Sequence, residues 1–219
     1  MAGAAMNKAS KALLPIILGL SAITLSACGP GPSTDNGAQG GAGPLAGARI
    51  GGEFTLTDQD GKPAHWSDYK GKYRLVYFGY TYCPDVCPVD LQKIIAGLRK
   101  FEKQDPRRAA KVQPIFISVD PERDTPAVVK PWVAAFHPRL IGLTGSPDAI
   151  EKVKKDFAVV SSKEGDAKGK DYLVSHTRTP YFFGPDGDPI ALVPVDEPGS
   201  DQDEGSPQAV AHFLDQWVK

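Results

Sequence analysis

The chain has almost no surplus of charge. Its 25 Lys and Arg nearly cancel its 26 Asp and Glu, for a formal net charge of −1. Nucleic-acid binding rests on clustered cations that neutralise phosphates, and that footprint is missing. The chain has no repeat of roughly 20–50 residues and no heptad run. Its N-terminal apolar run, Leu13 to Ala27, holds about 15 residues, short of the ~20 that span a bilayer as a helix. Cysteine is scarce: Cys28, Cys83 and Cys87 are all there is. An odd count in an exported protein leaves one thiol over.

Position accounts for the odd one. Lys8 and Lys11 form a short basic region ahead of the apolar run, so residues 1–27 read as a signal peptide. Met6 would open that region as well as Met1 does. Leu25-Ser26-Ala27-Cys28 resembles a bacterial lipobox. That resemblance implies cleavage before Cys28 and lipidation of its thiol; the alternative is a plain secretory signal with an incidental cysteine. Lipidation would leave Cys83 and Cys87 as the one redox pair. Residues 28–48 are dominated by Gly, Pro and small polar residues. Such a stretch cannot bury enough surface to offset ordering entropy. It reads as a flexible tether, with a reach of roughly 25 Å for twenty residues. Residues 49–219 are left for one folded domain.

Within that domain strand and helix periods alternate. Phe54-Thr55-Leu56-Thr57 reads as a strand, followed by the turn signal Asp60-Gly61. Trp66 to Lys72 reads as a short connection. Tyr73 to Gly79 is rich in β-branched and aromatic residues and reads as a central strand. Leu91, Ile94, Ile95, Leu98 and Phe101 then recur at helical spacing, which predicts a helix from Cys87 to about Lys103. Val112 to Val119 is a second buried strand. Thr125-Pro126, Ser146-Pro147 and Ser206-Pro207 each place a capping residue before a proline, the signature of a helix start. Ile141 to Leu143, Tyr181 to Phe183 and Ile190 to Val193 complete the strands. This order predicts a thioredoxin-like α/β fold, a central mixed sheet flanked by helices.

The chemistry gathers where the central strand gives way to the first helix, in Tyr80-Thr81-Tyr82-Cys83-Pro84-Asp85-Val86-Cys87-Pro88. If one helical turn holds both cysteines, their Cβ atoms lie about 5–6 Å apart on one face. Two sulfurs so placed can share a metal or form a disulfide. A helix N-terminus favours the thiolate, the reactive and ligating form. Soft thiolates favour Cu(I). Among the histidines, His65, His137 and His212 read as surface or capping residues. His176 lies in the loop before the Tyr181 strand, which in this fold packs against the cysteine loop, so it is the candidate third ligand.

The chain resembles the Sco/SenC copper proteins. Gly79 to Pro88 looks like their metal loop. Ile117-Ser118-Val119-Asp120-Pro121-Glu122-Arg123-Asp124-Thr125-Pro126 looks like their second signature, and Ser175-His176-Thr177 ahead of Gly184-Pro185-Asp186-Gly187 like the third. The match runs from about Gly52 to Lys219. It implies copper, Cu(I) or Cu(II), on Cys83, Cys87 and His176. It also implies a metallochaperone rather than an enzyme, one that delivers copper to, or keeps thiols reduced at, the binuclear copper site of cytochrome c oxidase subunit II. Another periplasmic copper chaperone or thiol reductase would be a further partner. With the lipid anchor, the expected place is the periplasmic face of the cytoplasmic membrane. One departure stands out: many relatives have Asp before the histidine, where this chain has Ser175. Asp85 and Asp171 are the carboxylates left to substitute. A thiol–disulfide oxidoreductase and a redox or copper sensor are the competing readings. Such reductases usually carry a cis-proline opposite their cysteines; here Arg178 falls near that place, with Pro180 two residues on. The loop Asp120 to Asp124 reads first as a salt-bridged connection capped by Thr125.

Overall fold

The computed structural model describes residues 43–165, 169, 171–197 and 199–219. The expected signal peptide, Cys28 and the tether up to residue 42 lie outside the described residues. The tether's last residues do not trail freely: Gly43 to Ala48 form a turn whose Leu45 N–H donates to the Ile190 carbonyl at 2.9 Å.

Strand β1 (Thr55–Asp58) pairs antiparallel with β2 (Pro63–His65). The Asp60-Gly61 signal closes this hairpin: Gly61 sits at φ +78°, and Asp58 Oδ1 accepts the N–H groups of Asp60 and Lys62, both at 2.8 Å. A short 3₁₀ turn, Trp66–Tyr69, follows and buries Trp66. Then come β3 (Tyr73–Gly79), α1 (Val86–Gln104), the one-turn α2 (Pro106–Ala109), β4 (Val112–Ser118) and α3 (Pro126–Phe136). β5 (Ile141–Thr144), α4 (Pro147–Asp156), β6 (Ser161–Glu164) and β7 (Leu173–His176) continue the chain. β8 (Tyr181–Phe183), β9 (Pro189–Leu192) and α5 (Pro207–Trp217) close it. The capping serines act as their sequence predicts: Ser146 Oγ and Ser206 Oγ accept the N–H of Ala149 and Ala209.

Seven strands form one mixed sheet in the order β2-β1-β5-β4-β3-β8-β9, with β3, β4 and β5 parallel. All seven residues of β3 are buried, as a central strand of a sheet covered on both faces requires. Its period of two divides the core. Tyr73 stacks on Phe182, and Tyr77 bonds Asp90 of α1, so the odd-numbered side chains meet the α1 and α5 side. Arg74 lies 4.3 Å over the Trp66 ring, and Phe78 meets Phe157 beyond α4, so the even-numbered ones meet the other side. Gly97 lets α1 and α5 approach closely, since a Cβ there would stand 2.5 Å from Val210.

The sequence did not signal the ribbon of β6 and β7, nor the one-turn α2. Ser-Ser-Lys-Glu shows no apolar alternation, and its pairing partner lies across a polar connection. His176 therefore ends a strand, opposite Ser161, where the sequence suggested a loop.

Candidate metal centre

Three segments converge at the C-terminal end of β3 and β4, the end where open α/β sheets place their sites. The first is the loop leaving β3. Cys83 stands outside α1 and Cys87 inside its first turn, so the pair does not share a helical turn. Pro84 is the reason, because the residue before a proline is pushed out of the helical region. Pro88 sits in the first turn, where a missing N–H costs nothing.

That offset places the Cys83 sulfur at the mouth of the helix. It accepts the Cys87 N–H at 3.4 Å. Hydrogen bonding from the Cys87 thiol, aided by the N–H groups of Asp85 and Cys87 and by His176, brings the Cys83 thiol down to about 5 against the pull of burial. Cys87 is fully buried and moves the opposite way: the hydrogen bond it gives Cys83 and then burial both hold its proton on. The two cysteines are thus unlike, one a half-buried thiolate and the other a buried thiol. Alkylation of the copper-free protein is expected to reach its plateau above about pH 6, fall through a midpoint near pH 5, and map to Cys83 with Cys87 protected. A midpoint near the ordinary thiol value, or equal labelling of both, would contradict this.

The second segment is β7. His176 Nδ1 lies 2.9 Å from the Thr177 carbonyl oxygen, which can only accept, so Nδ1 carries a proton and Nε2 is the nitrogen turned towards the cysteines. Nε2 stands 3.1 Å from Cys87 Sγ. Tyr80 ties the two segments together: its hydroxyl accepts the Val174 N–H at 3.2 Å, and its ring meets the imidazole edge-on at 6.0 Å.

The third segment is the charged loop after β4. It is the salt-bridged connection expected, with Arg123 Nε on Asp120 Oδ2, but Thr125 makes no side-chain cap, and the loop does more than connect. Asp124, fully buried, accepts the Thr81 N–H at 3.0 Å and the hydroxyls of Thr81 and Ser118. Burial still outweighs these bonds and raises its pKa. The Arg123 guanidinium lies 3.6 Å over the Tyr172 ring and 4.9 Å over Tyr82, and Tyr172 gives its hydroxyl proton to Asp120 at 2.7 Å. The cysteine loop is therefore clamped from below by Asp124 and from the side by Arg123. Tyr82, Glu122, Arg123, Asp171, Tyr172 and Leu173 line an open cavity of about 610 Å³ beside it.

Two sulfurs and an imidazole nitrogen form a donor set suited to Cu(I). Among the described residues no three His, Cys, Asp or Glu side chains stand ready-spaced around an ion. A shared ion with bonds of ~2.0–2.3 Å to N and S would set Cys87 Sγ and His176 Nε2 a few tenths of an ångström further apart than their 3.1 Å contact. Asp85 and Asp171 are both exposed, and Ser175 is too. Of the remaining histidines, His65 bonds Thr55 Oγ1, His212 is exposed, and His137 is buried against Glu102 rather than at the surface.

Sequence reasoning missed Asp90 and Arg178. Asp90 is 3% exposed on α1 and receives Arg178 Nε at 3.0 Å and Nη2 at 2.7 Å. Tyr77 shares the same carboxylate, its hydroxyl donating to Oδ2 at 3.2 Å. The available signal was a lone acid next to Leu91 on the apolar face of a helix.

The family model SCO1/SenC matches residues 42–211. The mitochondrial protein SCO2 of Saccharomyces cerevisiae is 42% identical over 63% of this chain and 45% of its own length. The chain spans about half the length of the curated relatives it matches. The copper-bound structure of Bradyrhizobium japonicum ScoI is 41% identical with a TM-score of 0.66, over 77% of this chain and 99% of that one. BsSco, described with a disulfide switch and as a member of the Sco family of cytochrome c oxidase assembly proteins, is 25% identical with a TM-score of 0.54, over 75% and 90% of the two chains.

Proposed function

This chain belongs to the SCO1/SenC family, and from that premise we propose that it binds copper through Cys83, Cys87 and His176 and serves the assembly of cytochrome c oxidase. One observation carries the reading. Cys87 Sγ and His176 Nε2, 89 residues apart in sequence, meet at 3.1 Å, with the Cys83 thiolate beside them. The copper seen in the B. japonicum relative and the oxidase-assembly role of BsSco agree with it.

Copper is cargo here, and each residue has a part. Cys83 offers a thiolate at a half-buried position, open to exchange with a client. Cys87 gives up its proton on metal binding, and His176 supplies a neutral nitrogen in a tautomer already set by Thr177. The client is the binuclear copper site of oxidase subunit II. The same pair can keep that client's thiols reduced. Cys83 thiolate would attack a client disulfide, Cys87 would resolve the mixed disulfide, and two electrons would pass to the client. The resulting Cys83–Cys87 disulfide would then need a periplasmic thiol reductase to reopen it. The thiol–disulfide oxidoreductase and sensor readings use these same atoms and stand as alternatives. Among the described residues no helix is long and apolar enough to cross a membrane. The lipobox supports attachment by Cys28 lipidation to the periplasmic face of the cytoplasmic membrane.

The test is copper loading followed by transfer. The reduced protein should take one equivalent of Cu(II) with thiolate-to-copper charge transfer, and pass copper to the subunit II domain. Palmitate labelling of the full chain should vanish in Cys28→Ser. A protein that turns over disulfides but shows no charge transfer would favour the oxidoreductase reading.

A further inference from the structure

Among the described residues no backbone–backbone hydrogen bond joins β7 to α1, and the Tyr80 hydroxyl holds only Val174, two residues short of the histidine. β7 pairs only with β6, and that two-stranded ribbon shares no strand with the seven-stranded sheet. His176 nevertheless has to stay within reach of Cys87. Two residues beyond the histidine, Arg178 forks onto Asp90, which lies three residues beyond Cys87 on the same helix. Among the described residues no other ion pair joins α1 to this segment. Asp90 is almost fully buried and Arg178 is 24% exposed in its side chain, so little water competes for the contact. A guanidinium fork on a carboxylate fixes direction as well as distance. Tyr77, on the central strand, holds the same carboxylate from behind and fixes its orientation. The clasp is therefore anchored on the rigid sheet, and its outer end carries the histidine.

We propose that Asp90 and Arg178 are positioning residues that hold His176 Nε2 at Cys87, so that copper is gripped by three side chains rather than by the two sulfurs alone. This rests on the ligand set proposed above. Cutting the clasp at Arg178 leaves Cys83 and Cys87 on their own loop and helix, each still able to offer its sulfur. Cu(I), content with two soft sulfurs, should then be bound nearly as before, while Cu(II), which favours imidazole nitrogen, should suffer. Groups that orient a ligand without touching the metal typically govern affinity by about 10- to 100-fold.

The experiment uses the full chain with Arg178→Ala, Arg178→Lys and His176→Ala, singly and with Arg178→Ala combined with His176→Ala. Cu(II) affinity should fall about 10- to 100-fold in Arg178→Ala, with a visible and electron-paramagnetic resonance spectrum shifted towards that of His176→Ala. Cu(I) affinity should change less than about threefold. Lysine keeps the charge but lacks the fork, so Arg178→Lys should lie between wild type and alanine. The double variant should bind Cu(II) no more weakly than His176→Ala alone, because the clasp acts only through the histidine. Without copper, the loosened histidine should expose Cys87 to faster alkylation. A folded Arg178→Ala or Arg178→Lys protein with the wild-type Cu(II) spectrum and wild-type Cys87 alkylation would overturn the clasp, and so would additive losses in the double variant. If instead His176→Ala itself keeps the wild-type spectrum, it is the ligand set that fails, and the clasp loses its premise.

Discussion

Cys83→Ser and Cys87→Ser are each expected to abolish the thiolate-to-copper charge transfer band and to lower Cu(I) affinity by more than about 100-fold. That exceeds what removal of a merely orienting group costs, because a serine oxygen is a hard donor and supplies no thiolate. The two substitutions should differ in their side effects. Cys87 is fully buried at the start of α1, so its replacement puts a hydroxyl among core atoms and should lower stability as well. Cys83 is half-buried, and Cys83→Ser should leave the melting temperature nearly unchanged. His176→Ala belongs to the same series but at its weaker end, with Cu(II) binding reduced and Cu(I) binding mostly retained. Retention of wild-type Cu(I) affinity in either serine variant, measured by competition with a chromophoric chelator, would remove that cysteine from the site.

The second large effect is expected from Asp124→Ala. This buried carboxylate accepts three hydrogen bonds, from the Thr81 backbone and hydroxyl and from Ser118. Truncation strands those donors in the protein interior and opens a small cavity. The cost should be about 3 kcal/mol. For a domain of this size that corresponds to a fall of roughly 6–12 °C in melting temperature. Asp124→Asn should lose less, since the side chain keeps its shape and one acceptor and no longer buries a charge whose pKa burial has raised. The loss should also reach the site, because Thr81 lies two residues before Cys83: amide exchange of the Thr81–Cys83 segment should quicken in Asp124→Ala. A melting temperature within 2 °C of wild type, by scanning calorimetry, would show that the clamp on the cysteine loop carries no weight.

Local elements were legible wherever one physical signal was strong. Tyr73 to Gly79 could be read as a central strand because all of it is apolar, aromatic or β-branched except Arg74 and Gly79. The exception is instructive: Arg74 is buried by lying on Trp66 and donating to the Gly184 carbonyl at 3.1 Å, partners more than a turn away in sequence. The first helix was legible from Leu91 to Phe101 because its apolar period is regular. Its start was harder, since Pro84 moves Cys83 off the helix while the spacing of the cysteines suggests a shared turn. The β6–β7 ribbon was not legible, because its strands are polar and their pairing partners are separated by a long connection.

The chain order therefore determined which chemistry this protein can perform: two sulfurs at a helix mouth, a histidine far downstream, and strands and helices in a thioredoxin-like alternation. Those are properties of local spacing and apolar period, which each segment carries within itself. Only the tertiary structure decided that the sulfurs are unequal in burial, that Nε2 is the His176 nitrogen facing Cys87, and that Asp90 meets Arg178 while Asp124 meets Thr81 and Ser118. Each of these depends on a contact between residues tens of positions apart, and at such distances a polar side chain's partner is set by how the sheet and helices pack, which no local pattern encodes.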